Sequence, residues 1–571
     1  MILHALNQYY ERLCDDPVSA IPLLGFGAQK IHFALVIDSN GTLVQGPVDL
    51  RNREGRRLTP MALIVPEAVK RTAGVAANFL WDNTGYVLGA DNKDSPERAL
   101  QCFAAFKELQ HAVGDSLDDE GMMAVLRFLD AWNPENATGL PFWEEMAGQN
   151  VVFQLDGENR YIHERPAIRA VWRAYSQQHG SEITAPCLVT GEVSPVARLH
   201  PAIKGVRGAQ SSGAAIVSFN LSAFESYGKK QSFNAPVSEN VAFAYTTALN
   251  HLLRFDSRQK VLTGDTTFVF WAERETPVEH FLGNVFGDTA EPSDDPADAK
   301  AVRDFLEAAR DGKRLPAIDP DVRFHILGLS PNAARLSVRF WLLSSTGEIS
   351  KNVGQHFRDL AIERQFDFDP KYPNLWRLLR ETALQGKSEN IQPLLGGAVA
   401  RAVFTGEPYP QSLLAAVIKR IRVDHNINYL RAVFIKACLV RKFRLTQQNP
   451  MEVKMALNKE STNVAYRLGR LFAALEKVQR DALPGINTTI RDRYYGSASA
   501  TPKTVFPQLI RLAQHHIQKS EYGRVSDKNI EEILQEVAEF PSHLSLDQQG
   551  LFALGYYQQR QALYPKSEKS E

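Results

Sequence analysis

The 571-residue chain carries fourteen histidines and 65 acidic side chains, raw material for metal-dependent or general acid–base chemistry. Spacing decides whether that chemistry is available. There is no HExxH, and no His-Asp dipeptide of the kind used by metal-dependent nucleases and phosphohydrolases. His515 and His516 are adjacent on a predicted helix, so they point about 100° apart and cannot chelate together. The four cysteines, Cys14, Cys102, Cys187 and Cys438, form no CxxC pair, which argues against a thiol-rich zinc site or a disulfide framework. Cys187 reads as a small buried side chain. The carboxylate pairs Asp118-Asp119 and Asp294-Asp295 sit in acidic stretches where solvation is the ordinary explanation. No GxxxxGK[ST] is present, and Gly205–Gly213 is neither GxGxxG nor a GxSxG elbow, since Ala209 stands where the elbow needs glycine. The expectation is a protein without catalytic residues, metal or cofactor.

A different chemistry is better represented. The run Arg198–Gln231 places Lys204, Arg207, Gln210, Ser211, Ser212, Lys229 and Lys230 on and around a glycine-punctuated loop. Glycines let a backbone approach a ligand closely and turn N–H groups towards anions. Lys and Arg suit phosphates, while Gln, Ser and Asn donate and accept towards base edges. The same composition also describes a solvated loop that needs positive φ angles, and the residues alone leave both readings open. Lys70, Arg71, Thr72 and Asn78 form a second set, between a proline-marked turn and the aromatic run Phe79–Trp81; the plainer reading there is a turn feeding a buried strand. A third set is the basic helical segment with Lys419, Arg420, Arg422, Arg431, Lys436, Arg441 and Lys442. Asp424 is the one carboxylate in that window, so a phosphate-tracking surface competes with an ordinary solvated face. The fourth is Arg491, Arg493 and Tyr494 in a charged aromatic turn that could stack on unpaired bases or simply pack on its neighbours.

The elements that must hold these residues read as α+β. Met1–Arg12 is patterned as an amphipathic helix and not as a signal peptide. Ile31–Ile37 and Thr267–Trp271 read as buried strands, and 323–330 with 335–343 as a hairpin around Pro331-Asn332. Helices are predicted over 95–113 and 121–131, and after Ser238 as N-cap. The acidic, proline-rich stretch 287–300 reads as an exposed loop. Beyond about residue 346 strand signals vanish. In the last stretch Val464, Leu468, Leu471, Phe472, Leu475 and Val478 fall on one helical face, and further amphipathic helices make a bundle. This gives three regions: a mixed α/β part at 1–345, a helical connector with a basic face at 346–450, and an all-α bundle at 451–571.

Lys+Arg and Asp+Glu are tied at 65 each. The tie excludes a protein that coats nucleic acid indiscriminately, but it is a sum of unlike parts. Residues 1–150 hold 12 basic and 20 acidic side chains, whereas 401–450 hold nine and two. No uncharged apolar run approaches the roughly 18 residues of a membrane span. With few, scattered cysteines, the expected location is the cytoplasm.

Several segments together carry a family resemblance. They are Arg71–Asn83 (RTAGVAANFLWDN) with Tyr86–Gly89, Cys187–Glu192 (CLVTGE), Ile203–Gly213 (IKGVRGAQSSG), and Asn234–Ser238 leading to Ala244–Asn250. Gly264–Glu273 (GDTTFVFWAE), Arg491–Gly496 (RDRYYG) and Phe552–Gln558 (FALGYYQ) complete the set. In this order, from one end of the chain to the other, they resemble the large subunit of the type I-C CRISPR surveillance complex (Cascade).

The resemblance implies a subunit that contacts the 5′ handle of a CRISPR guide RNA and reads the short flanking motif (PAM) on double-stranded target DNA. It also implies help in opening the duplex into an R-loop, and recruitment of a helicase-nuclease. Other partners would be the backbone, handle-processing and small subunits. Under it, Lys70, Arg71, Thr72, Asn78, Lys204, Arg207, Gln210, Ser211, Ser212, Lys229 and Lys230 are expected at the PAM duplex, with Gln210 and Asn78 as base-edge readers or wedge. Lys419, Arg420, Arg422, Arg431, Lys436, Arg441, Lys442, Arg491, Arg493 and Tyr494 are expected along displaced or target-strand DNA. Members of this family also produce a small subunit from an internal start. Met451 and Met455 stand together just before the bundle, after a methionine-free stretch from Met146. The competing expectations are a metal-dependent nuclease using scattered Asp, Glu and His, and a helical interaction scaffold without nucleic acid.

Overall fold

Phe33–Ile37 is apolar at every position, the pattern of a strand with both faces covered. A computed structural model describes residues 1–16, 21–44, 46–54, 57–69, 71, 74–93, 95–178, 183–286, 296–313, 318–447 and 453–564. In it this strand is fully buried. It lies second in a four-stranded sheet ordered Val48–Asp49, Phe33–Ile37, Asn150–Leu155, Trp81–Asn83. The central pair is parallel and the outer pairs are antiparallel. Because strand side chains alternate in direction, Phe33, Leu35 and Phe153 enter one core with Phe106 and Val125 from the helices Pro96–Gly114 and Glu120–Ala131. Ala34, Val152 and Trp81 enter another with Ile31 and Val65 of the neighbouring strand pair Phe26–Ile31 and Met61–Pro66. These elements belong to a compact unit comprising Met1–Pro201 and Val217–His251.

The second unit comprises Ala202–Ile216 and Leu252–Glu571. Its sheet is an antiparallel meander of Lys260–Thr263, Thr266–Ala272, Arg323–Asn332 and Arg335–Ser345. Phe268, Phe270, Phe324, Ile326 and Phe340 project from one face of it into a core shared with the helices that follow. The first of these, Thr346–Leu360, begins where Ser345 accepts from Glu348 N, an N-cap that turns the last strand directly into a helix.

One continuous apolar cluster runs from Val261 to Tyr557, so the sheet and the described helices after Ser345 share a core. Gly550 of the helix Leu546–Leu563 lies where an added Cβ would meet Ile435, Leu439 and Leu414 at 3.2–3.4 Å. Within the terminal bundle, Val464–Ala482 and Leu546–Leu563 approach through reciprocal glycines. A Cβ on Gly469 would come 2.0 Å from Phe552 O, and one on Gly555 2.1 Å from Tyr466 O, so neither position has room for a side chain. The α+β class and the hairpin appear as the sequence implies, and among the described residues no strand follows Ser345. One loop expectation is corrected. Residues 287–295 lie outside the described residues, but from Pro296 the chain is helical to Asp311. Proline at the first helical position followed by an alanine-rich stretch starts a helix well.

Candidate nucleic-acid interface

The glycine loop of the second unit is fastened at its base. Ile203 and Ala214 exchange backbone hydrogen bonds of 2.8 and 2.9 Å. The chain then joins the hairpin edge, where Ala215 N donates to Ala334 O at 3.1 Å and Leu336 N to Ala215 O at 2.9 Å. Between these anchors Val206 is buried, and Arg207 N donates to Thr267 Oγ1 at 3.3 Å. Gly205 and Gly213 have φ of +88° and +103°, and a Cβ on them would fall 2.5 Å from Leu253 O and 2.7 Å from Ala202 Cβ. Only glycine meets both demands. With Ile203, Val206 and Ala214 turned in, Lys204, Arg207, Gln210, Ser211 and Ser212 are all exposed. Arg207 also lines a pocket of about 290 Å³ with Asp265, Trp376 and Glu389. The two carboxylates make that pocket a poor place for phosphate, which leaves the outer edge of the loop as its cationic face. Lys229 and Lys230, also exposed, belong to the first unit, on a tight turn closed by Lys229 N donating to Ser226 O at 2.9 Å.

The segment around Arg71 is built differently. Lys70 and Thr72 lie outside the described residues. Arg71 donates through Nε to Ala76 O at 2.6 Å, pairs through its guanidinium with Asp82, and stands 4.0 Å from the Tyr86 ring centroid. Asp82 is fully buried; desolvation pushes its pKa up, against the pull of Arg71. Asn78 is 3 % exposed, accepts from Val69 N at 2.9 Å and donates its own N–H to Asp82 at 3.0 Å. Asn78 is therefore corrected from base-edge reader to turn support. Its carboxamide reaches a base only if the turn opens, and Arg71 is committed to the same network. The turn feeding a buried strand is what these residues build.

The basic helices require the larger correction. Gln411–Asp424 and Tyr429–Leu445 present few of their cations to solvent. Arg441, completely buried, donates to Asp359 at 2.8 Å and to Ala402 O at 2.8 Å, with its guanidinium 4.1 Å from the Tyr409 centroid. Arg444 donates to the other Asp359 oxygen at 2.7 Å, and Lys436 Nζ to Asp359 O at 3.0 Å. Burial alone would raise the Asp359 pKa, but Arg444 and Arg441 hold it below the usual carboxylate range. Burial lowers Lys436 to about 8 and His356, beside the cluster, to about 3. Arg431 bridges Glu381 and Asp424, and Arg420 also pairs with Asp424. Lys442 pairs with Asp547, and Arg422 donates to Gln549 at 2.8 Å. Lys419 alone of this predicted set is exposed. A buried cation without its carboxylate costs several kcal/mol, so Arg420, Arg431, Lys436 and Arg441 serve the core and do not track a strand.

The segment Arg491–Gly496 is a helix, Ile490–Ala498, and not a turn. Thr489 and Asp492 form a reciprocal capping box at its start. Arg491 is largely buried beside Asp492, Tyr494 packs on the core, and Arg493 faces solvent. Met451 lies outside the described residues, while Met455 is exposed and accepts from Glu363 N at 3.0 Å. Tyr227, between Ser226 and Gly228, was missed by sequence reasoning. It is 98 % exposed, and the signal that marks it is an aromatic residue followed by glycine and two lysines.

Among the described residues no group of three or more His, Cys, Asp or Glu could hold a metal ion. No helix among them is long and apolar enough to cross a membrane. No curated protein matches the chain. A family model described as CRISPR-associated protein (Cas_Csd1) matches residues 6–564. Matched over nearly its whole length, the chain belongs to the CRISPR-associated Cas_Csd1 family.

Proposed function

We propose that the chain is the non-catalytic large subunit of a type I-C Cascade, acting in the cytoplasm in antiviral defence. In this reading it holds the 5′ handle of the guide RNA and recognises the PAM on duplex DNA. It then promotes unwinding and R-loop formation, and recruits the helicase-nuclease. Guide pairing supplies most of the specificity, so the protein need read only a few base pairs. A chain of zero net charge with a confined cationic edge is adequate for that.

The observation that carries the reading is the loop Lys204–Ser212. A rigid, glycine-shaped backbone offers two cations and three hydrogen-bonding side chains outward while its apolar residues anchor it to a sheet edge. Lys204 and Arg207 act on phosphates, and Gln210, Ser211 and Ser212 on base edges. Among the described residues the other exposed cations of the predicted sets are Lys229, Lys230, Lys419, Arg493 and Arg71, the last of which pairs with Asp82. The test is binding of the assembled, guide-loaded complex to matched duplexes that differ only in the flanking motif. Discrimination is expected, and its loss with Gln210→Ala; equal binding to both duplexes by the wild-type complex sinks the reading.

The same gene is proposed to yield a small subunit from Met451 or Met455. Silencing both codons together removes that product; a short product that persists contradicts the proposal.

A further inference from the structure

The turn that carries Lys229 and Lys230 also displays an aromatic ring. Tyr227 and Gly228 occupy the two central positions of a tight turn with φ of 51° and 71°, the left-handed pair typical of two-residue hairpin loops. Lys229 N donates to Ser226 O at 2.9 Å across it. The turn is held from below by Asn234. Its Oδ1 accepts from Ser226 N at 3.0 Å, and its Nδ2 donates to Lys229 O and Gln231 O at 2.9 Å each. Ser232, 2 % exposed, seats the base.

This scaffold presents Tyr227 with 98 % of its surface in solvent. No hydrogen bond, ring contact or cation–π contact engages it among the described residues, and no ion pair engages Lys229 or Lys230. A bulky residue in the left-handed region is uncommon, and here three hydrogen bonds from one carboxamide maintain a turn that leaves the ring uncovered. An aromatic face flanked by two cations on a pre-formed turn matches the chemistry of an unpaired nucleotide: the ring takes the base and the lysines take the adjacent phosphates. Stacking tolerates any base, so this element adds grip without reading sequence.

We infer that Tyr227 is a base-stacking residue at the tip of a rigid finger, with Lys229 and Lys230 on the neighbouring phosphates of single-stranded nucleic acid. The inference rests on the nucleic-acid reading proposed above and adds a ligand, an unpaired base, to the first unit.

The test uses the full-length chain and a single-stranded oligonucleotide carrying 2-aminopurine, whose fluorescence falls on stacking. Tyr227→Ala is expected to weaken binding about 5- to 150-fold and to abolish the quench, while Tyr227→Phe retains both. Replacing Lys229 and Lys230 by alanine lowers the salt dependence by about 0.7 per lysine and preserves the quench at saturation. Wild-type binding and quenching by Tyr227→Ala overturn the finger and leave the broader reading intact. A wild-type chain that binds no nucleic acid overturns both. Unchanged oligonucleotide binding by Tyr227→Ala, with poorer retention in the assembled complex, makes the ring a protein anchor and also overturns the inference.

Discussion

The loop Lys204–Ser212 and the helix Tyr429–Leu445 are both rich in cations, yet the loop's stand in solvent and most of the helix's are enclosed by carboxylates. The difference lies in what surrounds the charges along the chain. In the helix, Ala432, Val433, Phe434, Ile435, Ala437, Cys438, Leu439 and Phe443 leave little room for a polar face, so most of the cylinder is buried. Its cations must then find partners inside. In the loop the apolar residues are few and turn to one side, and glycines keep the backbone on the surface. A basic segment is therefore a candidate for nucleic acid only when its apolar neighbours leave it a free side.

The contrast breaks most visibly at Asp359. Asp359→Ala strands Arg441 and should lower the stability of the second unit by about 3–5 kcal/mol, read as a large fall in its unfolding midpoint. A neutral result means that the buried network is not what holds these helices. The same site gives a pH dependence. His356 is kept neutral by burial, with its pKa lowered from 6.5 to about 3, so below about pH 6.5 the unfolded chain takes up a proton that the folded one refuses. Stability should fall on acidification over that interval. The depressed Asp359 loses its contribution in the same direction, as pH falls through its folded pKa. A flat midpoint between pH 7 and 4 contradicts the His356 account; the Asp359 loss comes only below its ordinary value of 3.8, and stability that holds steady there contradicts that one.

Gly205→Ala is the intermediate case. It places a Cβ against Leu253 O at positive φ and should cost about 1–3 kcal/mol locally, distorting the loop and weakening target binding more than global stability. Asn78→Ala should cost a similar amount, about 1–3 kcal/mol, by orphaning Val69 N–H. It should leave base preference unchanged; altered preference in a stably folded variant would return Asn78 to the reading face. The smallest stability effect belongs to Arg207→Ala, within about 0.5 kcal/mol, with a salt slope for duplex binding lower by about 0.9. Lys419→Ala on the mostly buried helices sharpens the comparison, with a change in stability again within about 0.5 kcal/mol.

Much of the fold was legible because it is local. The hairpin 323–345 declared itself by alternation around Pro331-Asn332, and the helix Val464–Ala482 by its apolar face. The burial of the basic helices was not legible. Apart from Asp424, the carboxylates that satisfy them stand far along the chain, Glu381 50 residues from Arg431, Asp359 82 from Arg441 and Asp547 105 from Lys442. A charge count confined to one window cannot register them. The helix Ile490–Ala498, expected as a turn, is marked in the sequence by Thr489 and Asp492, which spell a capping box. At the candidate site, the glycine spacing of 205–213 marked the loop. That Asn78 points inward depends on Asp82, Val69 and Gln110 meeting around it, which composition does not reveal.

The central claim is that the exposed edge of the Lys204–Ser212 loop touches the flanking duplex. It is tested most directly by photo-crosslinking from a photoreactive residue at position 210 of the assembled complex, beside a second one at position 436. The account predicts crosslinks to the flanking base pairs from 210 and none to DNA from the buried position. Crosslinks to DNA from 436 in a folded complex, or none from 210 on a bound target, would contradict it.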